Sequence, residues 1–198
     1  MKTVLKIAVI SAILVILLSF LRGADYLALA AAAAAIHEIG HILAAWALKI
    51  PKCASSTSFF GLSLKYDFSS ASYGAEVAVS SAGALFNILA CAVTFCAAPH
   101  PGTHAIFFIF SNLSLALFNL LPVSPLDGSG ILRALLLMVA SDRTAERIVS
   151  IVSSLISAAF FVFCIYVQLK IGANLSLMFI SIFLIYNTIK NAKTIMKE

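Results

Sequence analysis

The stretch Tyr26–Leu48, YLALAAAAAAIHEIGHILAAWAL, decides how this chain must be read. It is long enough to cross a bilayer, which takes roughly 20 predominantly apolar residues. Its apolar course is interrupted by His37-Glu38-Ile39-Gly40-His41. Ionisable side chains at membrane depth are costly, and where they occur they mark function. In a helix, two histidines four residues apart stand one above the other on the same face. That spacing lets both bind one zinc ion. Glu38, beside the first, is placed to take a proton from water that the metal activates. Water-soluble zinc hydrolases carry the HExxH run on a helix in contact with solvent; here the run lies where lipid is expected.

The composition agrees with a membrane protein. The chain has 198 residues, 62% hydrophobic and 11% charged, with a mean hydropathy of +1.08. Soluble domains do not reach such values. The apolar runs are continuous, without the alternation of barrel strands, so they predict helices. The net charge of +5 does not indicate nucleic acid, because the basic residues flank apolar segments and form no stripe. The bilayer is the partner they fit. Cys53, Cys91, Cys96 and Cys164 contain no CxxC pair, which argues against a disulfide framework or a cysteine zinc site. They read as small apolar side chains.

Six apolar segments can be drawn outward from the first stretch: about Val4–Leu21, Tyr26–Leu48, Ala75–Ala97, His104–Leu121, Ile148–Leu169 and Ala173–Ile189. The fold class expected is an all-α polytopic membrane protein with about six transmembrane helices. The first segment resembles a signal peptide, yet its length and Arg22 beyond it favour a retained span. With the N-terminus inside, eleven of the thirteen basic residues fall on the cytoplasmic side, leaving Arg22 and Lys170 outside. By the positive-inside rule both termini are cytoplasmic, in what reads as a bacterial cytoplasmic membrane. Between the second and third segments, Phe59–Phe68 alternates weakly and is compatible with a small membrane-associated β-hairpin. After the fourth, Pro122-Val123-Ser124-Pro125-Leu126-Asp127-Gly128 breaks the chain, and a short amphipathic helix is expected over Ile131–Val139. Residues 1–198 are expected to form one domain, with a catalytic core at about 26–140 and accessory helices at 1–22 and 148–190.

Zinc held by two histidines needs a third protein ligand and an open position. Of the eight acidic residues, six fall in loops or at segment ends and Glu38 belongs to the motif. Asp127 remains, in broken backbone that is tolerated at membrane depth only inside protein or a wet cavity. The second and fourth spans run in the same direction, so topology brings Asp127 to the depth of the histidines. A carboxylate there could instead cap the following helix or form an Asx turn.

His37-Glu38-Ile39-Gly40-His41, together with Phe118-Asn119-Leu120-Leu121-Pro122-Val123-Ser124-Pro125-Leu126-Asp127-Gly128, resembles the site-2 protease family of intramembrane zinc metalloproteases. The resemblance implies Zn2+ bound by His37, His41 and Asp127, with Glu38 as general base. It also draws attention to Ser81-Ala82-Gly83-Ala84-Leu85-Phe86-Asn87, where Asn87 and Gly83 would hold the substrate strand or the oxyanion. The family usually has proline where Ala84 stands, and many members have glycine where Ser129 stands. In size the chain is most similar to compact members that process a sporulation transcription-factor precursor. The resemblance implies a membrane-embedded or membrane-associated protein substrate and allows for an inhibitory membrane partner.

Blander readings stand beside these. The histidines could be buried polar residues of a helix bundle, and Asn87, Asn112 and Asn119 interhelical hydrogen-bonding groups. Gly40 and Gly83 could simply permit close helix approach. His100 and His104 flank a short exterior loop and read as interfacial. The rival functions are a zinc or proton transporter and a catalytically inert binding protein of protease descent. A transporter would need polar residues along a whole path, and the outer halves of these spans offer almost none.

Overall fold

Alanine and leucine dominate the second apolar segment, and both favour helix. In the computed structural model it forms helix α1, Ala24–Ala47. The structure describes residues 23–58, 61–66, 68, 71–98, 100–171 and 175–195. The first apolar segment, with accessory helix 1–22, lies outside the described residues. Helix α1 ends where Lys49 takes a left-handed φ of 54°. The Ile50 N–H donates to the Ala45 carbonyl at 2.8 Å and the Lys49 N–H to the Trp46 carbonyl at 3.1 Å. This is the Schellman arrangement, which satisfies carbonyls the helix leaves open and turns the chain sharply.

The chain then enters a two-stranded antiparallel hairpin, β1 (Lys52–Ser58) and β2 (Gly61–Tyr66), with Ser58 opposite Gly61 and Lys52 opposite Tyr66. The expectation is corrected in one respect: the hairpin is not contained in Phe59–Phe68, because its first strand comes from the preceding Lys-Cys-Ala-Ser-Ser-Thr-Ser run. Pairing there rests on backbone hydrogen bonds, which a search for apolar alternation does not detect. Helix α2, Tyr73–Ala97, begins at Ser72, whose hydroxyl accepts from the Ala75 N–H at 3.2 Å. Helix α3, Thr103–Asn119, follows.

Two compact units are distinguished. The first contains α1, the hairpin, Ala82–Ala97 of α2 and α3 up to Leu117. At one end of it His104 stacks on Tyr26, with ring centroids 5.2 Å apart, and its Nε2 lies 3.9 Å from an Asp25 carboxylate oxygen. Asp25 and His104 are far apart in sequence, so only the packing of α1 against α3 brings this carboxylate beside the imidazole.

The second unit contains the Glu76–Ser81 turn of α2 and three further helices: α4 (Asp127–Leu137), α5 (Asp142–Ile171) and α6 (Leu175–Ile195). Helix α4 starts four residues before the expected Ile131. Leu126 is extended, with φ −74° and ψ 158°, and Asp127 opens the helix, where a carboxylate meets the positive end of the dipole. Pro122 and Pro125 remove backbone donors ahead of it. Ser153, buried on α5, supplies part of what is missing: its hydroxyl donates to the Pro122 carbonyl and accepts from the Ser124 N–H, both at 3.2 Å. Arg133 ties α4 down further, donating to Glu146 at 2.6 Å and to Glu76 at 3.5 Å. The hydrogen bond to Glu146 raises the already high pKa of Arg133. Gly128 is required by close approach, since a Cβ there would collide with the backbone carbonyls of Leu120 and Leu121.

Polarity is arranged as a bilayer demands. His37, His41, Asn87, Asn112, Ser153, Ser157, Ser181 and Thr188 are buried, whereas Trp46, Leu85, Leu89, Val93, Phe110, Val162 and Leu169 are exposed. Water penalises such an exterior, and lipid does not. By length and composition α1, α2 and the Asp142–Lys170 part of α5 can cross a membrane, while Thr103–Asn119 and Leu177–Ile189 are shorter apolar helices. Among the described residues, five of the six expected segments are helices.

Candidate metal centre

His37 and His41 occupy the buried face of α1, as their four-residue spacing predicts. Their Nε2 atoms are 3.2 Å apart and their rings meet edge to face, with centroids 4.8 Å apart. Two nitrogens bonded to one tetrahedral zinc at ~2.0–2.1 Å are themselves ~3.3–3.4 Å apart, so the pair is spaced as a single ion requires.

Helix α2 makes room for the rings. A Cβ added to Gly40 would lie 2.7 Å from the Ala82 carbonyl oxygen, so the small residues of both helices allow the backbones to meet. A Cβ on Gly83 would lie 2.5 Å from His41 Nε2 and 2.7 Å from His37 Nε2. Gly83 therefore serves as the floor on which the imidazoles converge. Its N–H lies mid-helix, within a run of i→i−4 bonds.

Asn87 is one turn further along α2 and fully buried. His37 Nδ1 and Asn87 Oδ1 are 2.7 Å apart, and only the nitrogen can donate. Asn87 Nδ2 donates to the Ala33 carbonyl at 3.0 Å and to Asn112 Oδ1 at 2.7 Å. Both amide hydrogens are thus engaged, and the amide oxygen faces His37. Metal-ligating histidines characteristically donate their second N–H in this way.

Asp127, half-buried, opens α4. It lies in the second compact unit, the two histidines in the first. Two imidazoles and a carboxylate are a donor set that suits zinc. Glu38, next to the first histidine, is half-buried. Near it on β2 is a residue the sequence did not single out. The Tyr66 hydroxyl oxygen is buried and has no hydrogen-bond partner among the described residues. Burial, and then the nearby Glu38 charge, raise its pKa above the usual tyrosine value, so it stays a neutral donor. An isolated tyrosine in a weakly alternating stretch carries no signal of this.

Residues 101–164, about a third of the chain, match the family model Peptidase family M50. A comparison with curated protein sequences finds no match. Among solved structures, the Site-2 Protease from Methanocaldococcus jannaschii aligns with a TM-score of 0.70 at 19% identity, covering 93% of this chain and 87% of that one. At that identity the likeness speaks for the fold. Residues 101–164 thus resemble the M50 peptidases, and the fold of the chain is similar to that of the site-2 protease.

Proposed function

We propose that this chain is an intramembrane zinc endoprotease in which His37, His41 and Asp127 hold the metal and Glu38 is the general base. The observation that carries the reading is the convergence of the two Nε2 atoms, 3.2 Å apart, over Gly83. Bound zinc would supply a Lewis acid that polarises a carbonyl and acidifies water. Glu38 takes the proton of the attacking water and passes it to the leaving amine. Asn87 holds His37 in place, and the core at about 26–140 contains all of these residues.

A transmembrane substrate hides its amides in its own helix, so a segment must unwind before attack. Among the described residues the sheet has two strands, each with an outer edge to which such a segment can add. Tyr66, at the end of β2, then offers its hydroxyl to the scissile carbonyl. Tyr66→Phe is expected to lower kcat on the order of 10²-fold, the usual effect of losing an oxyanion donor. Stability should hold or rise, because an unpaired buried hydroxyl costs about 1–3 kcal/mol. A variant that unfolds more easily yet cleaves normally would assign Tyr66 to packing.

The substrate class that fits is a membrane-held transcription-factor precursor or its membrane-bound regulator, as in the compact sporulation members the chain resembles. The test is co-expression with candidate single-span or membrane-associated precursors. Wild type should release a truncated product that Glu38→Gln does not. A panel processed equally by both forms would refute the proteolytic reading.

Both termini, and the connections 49–74 and 122–147, are assigned to the cytoplasm from the eleven-to-two distribution of basic residues. Single cysteines at positions 55, 101 and 143, on a cysteine-free background, can be probed in intact cells with an impermeant thiol reagent. Position 101 should label and positions 55 and 143 should not. The reverse pattern would invert the orientation.

A further inference from the structure

We infer that Asn112 and Asn87 form a polar relay that fixes the tautomer and ring orientation of His37, making both asparagines positioning residues of the metal centre. The inference rests on the reading of His37 as a ligand.

The direction of every bond follows from its ends. A backbone carbonyl can only accept. Asn112 Nδ2 donates to the Phe108 carbonyl at 2.9 Å, so Asn112 Oδ1 is the atom that faces Asn87. That oxygen can only accept, so Asn87 must present Nδ2 to it. The Ala33 carbonyl, 3.0 Å from the same Nδ2, demands the same orientation independently. Asn87 therefore turns Oδ1 toward His37. An amide oxygen cannot donate, so the proton of a neutral His37 ring lies on Nδ1. The lone pair is left on Nε2, the atom 3.2 Å from His41 Nε2.

Both asparagines are fully buried, so water does not compete with these bonds. In such surroundings a reversed amide would set like atoms against each other at two contacts, which costs more than it would in water. Residues on α1, α2 and α3 thus act together on one nitrogen. Asn112 lies 25 residues from Asn87 and does not touch the imidazole, so no motif around the histidines points to it.

The test uses the full-length protein with 15N-labelled histidine, stripped of metal by chelation and read at the pH where the 15N spectrum itself shows neutral rings. Long-range 1H–15N spectra distinguish the two tautomers, and the His37 signals are identified by their loss in His37→Gln. Wild type should show His37 protonated at Nδ1. Asn87→Leu should lose that preference and weaken zinc binding by roughly 10–100-fold in chelator competition. Asn112→Leu should fall between the two in both readouts, because Ala33 still holds the amide. A wild-type His37 protonated at Nε2 would overturn the relay, as would zinc affinity and tautomer unchanged in Asn87→Leu. If Asn112→Leu does not fold, the wild-type and Asn87→Leu spectra decide. The tautomer is read without metal, so a protein that binds no zinc would refute the metal assignment while still reporting on the relay.

Discussion

Gly83→Ala should empty the metal site while the fold survives. The added methyl group would stand 2.5 Å from His41 Nε2 and 2.7 Å from both Nε2 and Cε1 of His37. Those separations are far inside the 3.5–4.0 Å at which non-bonded heavy atoms rest. The rings can avoid the methyl group only by turning away from the point where their nitrogens meet. His37 would also lose its 2.7 Å bond to Asn87 as it moved. The helix itself gains, since alanine is favoured over glycine in a helix interior by roughly 0.8–1 kcal/mol. The expected outcome is a folded, membrane-inserted protein whose zinc affinity is lower by on the order of 10². Chelator competition and a thermal unfolding curve on the same preparation check both halves. Affinity within a few-fold of wild type would mean that the pocket above Gly83 is not where metal binds.

Glu38→Gln should do the converse. Glutamine keeps the size and polarity of the side chain but cannot take a proton at neutral pH. The imidazoles are untouched, so the variant is expected to hold zinc as wild type does. Cleavage should fall by ~10²–10⁴, the contribution typical of a positioned general base. Measured turnover close to wild type with zinc in place would transfer the role of base to another group. Loss of zinc together with activity would make Glu38 a structural support of the site.

Much of this was legible because the deciding residues are close in sequence. The i, i+4 spacing of His37 and His41 fixes their common face as soon as α1 is a helix. The run around Pro122 and Pro125 announces its own break. Less legible was whatever depends on contacts between distant segments. Asn87 stands out in the sequence only by its place after a small-residue run, and its partners Ala33 and Asn112 emerge only when three helices pack. Helix α4 begins at Asp127 and not at Ile131, because Leu126 can precede a helix as an extended residue and Gly128 can pass close to Leu120. The first hairpin strand, Lys52–Ser58, is polar, so hydropathy gives it no weight even though its backbone pairs with Gly61–Tyr66. Tyr66 becomes visible only through an orphaned hydroxyl near Glu38.

His37, His41 and Asp127 are proposed to hold one zinc ion. The most direct measurement is elemental analysis of protein purified without added metal, for wild type, His37→Ala and Asp127→Ala together. Two histidines and a carboxylate predict about one zinc per wild-type chain, and a substantial loss in each variant once one of three ligands is removed. A wild-type preparation devoid of zinc, or an Asp127→Ala variant that keeps its full complement, would contradict the account.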